Sequence, residues 1–148
     1  MEVSRILDVT MNEMDAFISQ MVIQDIQEAT NKTVDSKDVK PGYSYTKKLM
    51  GRNGREGRVK TTIRSLESGK YHASFKSTQG MNHLCYTYEP TEDGRVNLTY
   101  SEEYDASSNS NNLNFKVMNF LYKRSNEKRV GKILANIELL IQQNRKEN

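Results

Sequence analysis

Apolar residues recur along this chain with two different periods, and the switches between them mark out its elements. Val3, Leu7 and Val9 share one side of the segment Glu2 to Val9, which predicts a short strand. Thr10-Met11-Asn12-Glu13 then has the form of a capping box, in which the threonine hydroxyl and the glutamate carboxylate each satisfy the other's backbone N–H. Met14, Phe17, Ile18, Met21, Val22, Ile26 and Ala29 follow at helical spacing as one apolar stripe. Asn31 to Gly42 is polar, with Asp35 or Ser36 placed to cap one short turn before Pro41-Gly42. From Tyr43 the period drops to two. Tyr43, Tyr45 and Leu49 begin it, followed by Val59, Thr61 and Ile63, then Tyr71, Ala73 and Phe75. Leu84, Tyr86 and Tyr88, and then Val96, Leu98 and Tyr100, continue it. Asn53-Gly54, Ser68-Gly69, Gln79-Gly80 and Asp93-Gly94 punctuate these runs as tight turns.

A second helical stripe closes the chain, from about Leu113 to about Gln143. Leu113, Val117, Phe120 and Leu121 begin it, and Val130, Ile133, Leu134, Ile137, Leu140 and Ile141 complete it. Between them, over Lys123 to Arg129, the stripe lapses, which fits a kink, a break or an exposed middle. The order strand, helix, five strands, helix predicts an α+β fold, one domain over residues 1–148. In it a curved antiparallel sheet of about six strands wraps around the C-terminal helix, the one element long enough to cover the sheet's apolar side.

Composition narrows the picture. The 148 residues suit one domain, and eight Gly and two Pro are too few for a linker or a disordered chain. No apolar run approaches the roughly 20 residues that span a bilayer, so no stable membrane insertion is expected. The N-terminus lacks an apolar signal core, and a single cysteine, Cys85, forms no internal disulfide; a reducing cytoplasm is the expected location. Net charge is +3 but uneven. Residues 47–70 carry eight basic groups against two acidic ones, and residues 89–105 carry six acidic groups against one basic one. Such a layout shapes association more than fold, and self-association into a homodimer is one outcome.

The element order resembles the helix-grip fold of the START and Bet v 1 superfamily. Thr30-Asn31-Lys32-Thr33, Gly42-Tyr43-Ser44-Tyr45-Thr46-Lys47-Lys48, Tyr86-Thr87-Tyr88-Glu89-Pro90 and the basic middle of the last helix resemble a narrower family, domain of unknown function 3284. This resemblance implies a Gram-positive bacterial source and a genomic neighbourhood of phosphotransferase sugar-uptake genes. It implies no catalytic residues and no cofactor. The wider superfamily implies, in many members, a hydrophobic or amphipathic ligand held between sheet and helix.

Tyrosines dominate the candidate chemistry. Tyr43, Tyr45, Tyr71, Tyr86, Tyr88 and Tyr100 all fall on the apolar parity of their strands. A sealed core favours aliphatic residues, because a buried phenol must find a hydrogen-bond partner. Either a cavity meets that need, or the hydroxyls reach the rim of the sheet. Candidate cavity residues are therefore Tyr45, Tyr71, Phe75, Tyr86, Tyr88 and Tyr100, with Val117, Phe120 and Leu121 as a lid. His72, His83 and Cys85 lie on the opposite parity and number too few for a closed zinc site, so no metal is expected. A turn at Thr78–Met81 would set Ser74 opposite Cys85 and Lys76 opposite His83, leaving His72 diagonal to the thiol. Asp25 and Glu28 are expected on the solvated side of the first helix, and no paired acid and base stands out.

Gly51 to Arg58 resembles a phosphate loop, but it lies between two strands and no Gly-Lys-Ser/Thr follows it. Its Arg52, Arg55 and Arg58, with Lys123, Arg124, Lys128 and Arg129 of the last helix, are candidates for an anion or partner surface. The helix cluster lacks interleaved aromatics, which argues against nucleic acid. Three function classes follow. The first is a non-enzymatic binder of a small hydrophobic or amphipathic ligand. The second is an accessory interaction protein with a filled core. The third, resting on superfamily analogy, is a cyclase- or hydrolase-type enzyme.

Overall fold

The computed structural model describes the backbone of residues 1–50, 56–78, 80–106 and 113–147. It describes their side chains except for residues 49–50, 106, 113–126 and 146–147. In chain order the elements are β1 (Glu2–Leu7), α1 (Met11–Thr30), a 3-10 turn (Ser36–Asp38), β2 (Ser44–Met50), β3 (Glu56–Glu67), β4 (Lys70–Ser77), β5 (Gly80–Pro90), β6 (Val96–Ala106) and α2 (Leu113–Glu147). The strands form one antiparallel sheet in the order β1-β6-β5-β4-β3-β2. This is the helix-grip architecture expected for this chain.

Each element follows from its local sequence. Thr10 caps α1 with both halves of the capping box formed: Glu13 N–H donates to Thr10 Oγ1 at 3.2 Å, and Thr10 N–H to Glu13 Oε1 at 2.9 Å. Asn31 ends the helix in the left-handed region (φ 60°), its N–H closing on the Gln27 carbonyl. Met14, Ile18, Val22 and Ile26 are buried, the i, i+4 row that lies along one side of a helix. Asp35 caps the 3-10 turn. Gly69 turns β3 into β4 at φ 84°, and a Cβ there would come within 3.0 Å of the Tyr88 carbonyl oxygen. Glycine is therefore required twice over, by conformation and by space.

Parity divides the sheet as expected. Tyr45, Ile63, Tyr71, Ala73, Tyr86, Tyr88, Leu98 and Tyr100 are buried on the concave side, together with one stripe from each helix. The α2 stripe is Val130, Leu134, Ile137 and Ile141. α2 runs unbroken through Lys123–Arg129, with Glu127, Lys128 and Arg129 exposed. Of the arrangements open at that lapse a break is not found: the helix is continuous, and the part of its middle whose side chains are described is exposed. Its C-terminal part is tied to the β1–α1 junction. Asp8 N–H donates to Glu138 Oε2 at 2.7 Å, and Arg145 donates to Glu13 at 2.7 and 2.8 Å.

Two expectations on the convex side change. Ser77 pairs with Gly80 rather than Asn82, a tighter turn that moves the β4–β5 register by two residues. His72 therefore stands directly opposite Cys85, and Ser74 opposite His83. The predicted turn at Asn53-Gly54 lies outside the described residues.

Candidate functional site

A cavity of about 930 Å³ lies between α1, the concave face of the sheet and the C-terminal end of α2. Its apolar wall includes Phe17, Met21 and Val22 of α1, Phe75 and Leu84 of the sheet, and Ile141 of α2. Its polar wall contains two ion pairs, each linking different elements. Glu13 of α1 pairs with Arg145 of α2, and Asp25 of α1 pairs with Lys47 of β2 at 2.9 Å. The Arg145 guanidinium, working against a smaller opposing effect of burial, holds the Glu13 carboxyl well below the usual range, at about 2. Asp25 and Glu28 line this cavity. The expectation that both face solvent holds for Glu28, which is exposed, and is corrected for Asp25, which is half-buried against Tyr45 and Lys47 of β2.

The buried tyrosines fall into two groups. Three donate to carboxylates: Tyr45 to Asp25, Tyr88 to Asp15, and Tyr100 to Glu102 at 2.8 Å. Asp15 also accepts from Ser68 Oγ at 2.6 Å and Gly69 N–H at 3.3 Å, so it joins α1 to the β3–β4 turn and to β5. Glu102 also accepts from Asn82 Nδ2 at 2.8 Å and has Arg129 Nη2 at 3.7 Å. The other two tyrosines, Tyr71 and Tyr86, line the cavity with stacked rings 6.0 Å apart. Among the described residues neither hydroxyl has a hydrogen-bond partner. Burial, with Glu102 nearby, pushes the Tyr86 phenol up to about 12, and burial together with Asp25 raises Tyr71 as well. Both phenols stay neutral at ordinary pH, so each can donate a hydrogen bond as well as accept one.

The predicted cavity residues therefore separate. Tyr71, Phe75 and Tyr86 line the cavity, whereas Tyr45, Tyr88 and Tyr100 stand outside its lining because carboxylates hold their hydroxyls in the core. Val117, Phe120 and Leu121, like Arg52, Arg55, Lys123 and Arg124, lie outside the described side chains. Arg58, Lys128 and Arg129 are exposed. Sequence reasoning missed Glu13, Lys47 and Arg145 as cavity residues. For Lys47 the available signal was its position on the same parity as Tyr45.

On the convex face, Ser74 Oγ lies 2.9 Å from His83 Nδ1, and His83 Nε2 lies 3.4 Å from Asp105 Oδ2. The order of groups is that of a nucleophile, a base and an orienting carboxylate. Ser74, however, is 3% exposed, and its oxygen accepts from Arg64 Nε at 3.3 Å. So buried an oxygen is closed to a substrate carbonyl, and the cluster reads as a chain of polar contacts across four strands, β3 to β6. Among the described residues no group of three or more His, Cys, Asp or Glu side chains could hold a metal ion. No described helix is long and apolar enough to cross a membrane.

Comparison with solved structures places this architecture among Bet v 1-like proteins. The structure of Ara h 8.0201 superposes with a TM-score of 0.64 at 10% identity, covering 97% of each chain. A protein of unknown function from Staphylococcus aureus, SA2116, gives 0.62 at 9% identity over 100% of this chain and 95% of its own. TTHA0849 from Thermus thermophilus gives 0.59 at 11% identity over 97% of each. At these identities the likeness is one of fold. The chain itself belongs to the family described as Domain of unknown function (DUF3284), which it matches over residues 1–123. A comparison with curated protein sequences gives no match.

Proposed function

We propose that this protein is a binding protein, not an enzyme, and holds a small, uncharged amphipathic molecule in the cavity between α1, the sheet and α2. The observation that carries this reading is the division of the tyrosines. Where the chain needs a phenol only for packing, it supplies a carboxylate acceptor, as at Tyr45, Tyr88 and Tyr100. At Tyr71 and Tyr86, which line the cavity, no described residue takes the hydroxyl. A bound molecule with carbonyl, ether or hydroxyl oxygens would complete both. Four of the five charged side chains that line the cavity are already paired, Glu13 with Arg145 and Asp25 with Lys47, and the fifth, Glu28, is exposed. An anionic ligand would have to break one of those pairs, so an uncharged one fits better than an anion. The apolar wall supplies the rest of the affinity.

Native mass spectrometry of gently purified protein, combined with uptake of an apolar dye, tests the reading. The wild type is expected to carry a bound mass or take up the dye. Tyr71→Phe/Tyr86→Phe should bind about tenfold more weakly while melting at the wild-type temperature. A wild type that retains no ligand and takes up no dye, or a double variant that binds as tightly, would overturn the reading.

A further inference from the structure

Charge is unevenly divided over the convex face of the sheet: basic groups predominate on β2, β3 and β4, with Glu56 and Glu67 of β3 as acidic exceptions. β2, β3 and β4 contribute Lys48, Arg58, Lys60 and Lys76, all exposed. The register sets like charges directly opposite one another, Lys48 with Arg58 and Lys60 with Lys76, an arrangement that weakens a sheet. Lys48 has Glu56 at 3.6 Å, but among the described residues Lys60 and Lys76 have no ion-pair partner. On the other side of the same face, β6 contributes Glu103 and Asp105, both exposed. The two halves share one cross-strand row, in which Lys60 is opposite Lys76, Lys76 opposite Met81, and Met81 opposite Asp105.

A polyanion laid on this face would be attracted by Lys60 and Lys76 and repelled by Glu103 and Asp105. A second copy of the same face meets no such conflict. In the strand order, β3 and β6 lie at equal distances on either side of the β4–β5 pair. A two-fold axis parallel to the strands, lying outside the convex face above the gap between β4 and β5, exchanges the two halves. It also preserves height along the strands, so it brings β3 of one copy over β6 of the other within the same row. We propose that the chain forms a two-fold dimer through its convex face, with Lys60 of each copy paired to Asp105 of the partner subunit. The contact is self-complementary, as a two-fold interface requires. Stacked sheets lie about 10 Å apart, a gap that a lysine and an aspartate side chain can span together. Held mainly by exposed charges, such a dimer is weak and salt-sensitive.

Sedimentation velocity decides the matter. At about 0.01 M ionic strength, where charges act over about 30 Å, the wild type is expected to sediment as a dimer, and about 1 M salt should dissociate it. Lys60→Glu and Asp105→Lys should each remain monomeric at low salt. Mixed in equal amounts they should dimerise, because the exchanged charges restore both pairs. A monomeric wild type at low salt would overturn the proposal, as would a dimer that either single variant leaves intact. A mixture that stays monomeric, although each variant keeps the wild-type melting temperature, would do the same. Monomeric wild type that pellets with phosphatidylserine vesicles or shifts duplex DNA would assign the basic half to a polyanion instead.

Discussion

Three donors converge on Asp15: the Tyr88 hydroxyl, the Ser68 hydroxyl and the Gly69 N–H. Asp15→Ala leaves all three without their acceptor and should cost about 2–4 kcal/mol, read as a lower urea midpoint with an unchanged slope. Tyr71→Phe removes a hydroxyl that has no described partner and should shift stability by no more than about 0.5 kcal/mol. The contrast between two tyrosines on one sheet face measures what a carboxylate partner contributes. Alternation with polar neighbours was enough to place Tyr71, Tyr86 and Tyr88 on the concave side from sequence alone. Which of them would meet a carboxylate was not legible. Asp15 is 73 residues from Tyr88 and Asp25 is 20 from Tyr45, and no local pattern encodes the angle at which α1 crosses the strands.

Between elements, the tie from α2 to α1 is electrostatic. Glu13 titrates at about 2 in the folded chain against 4.5 as its ordinary value. A depressed carboxylate stabilises the fold fully above its unfolded value and loses that contribution as pH falls toward the folded one. The stability difference between wild type and Glu13→Gln should therefore be present above pH 4.5 and vanish as pH falls toward 2. Glutamine keeps the capping hydrogen bond, so the difference isolates the pair with Arg145. For a partly exposed pair it should amount to less than about 1 kcal/mol, measured by urea titrations across that pH range. The capping box itself was written in Thr10 and Glu13 and formed as read. The salt bridge was not, since it needs α2 to reach the N-terminus of α1. The β4–β5 register was misread because the turn holds fewer residues than the spacing of Ser77 and Asn82 implied, and period-two alternation looks the same after a shift of two.

At the scale of the molecule, the order of elements was the legible part, because strand and helix periods differ and glycine turns separate them. The cavity was only half legible, since its α1 and α2 walls depend on how two helices dock on the sheet. That docking rests on a pairing with a further consequence. β1 is an edge strand whose sheet neighbour is β6, and Glu2 pairs with Ser101. The earliest of the sheet's strands in chain order therefore has no backbone partner in the sheet until nearly all the others exist. Pairing so distant in sequence is slow to form, while the β3–β4 and β4–β5 hairpins close locally. Pulsed hydrogen exchange during refolding should show β4 and β5 amides protected first and β1 amides in the last phase. Until then the apolar residues of β1 stay exposed, and the protein passes through its most aggregation-prone state with β1 unpaired.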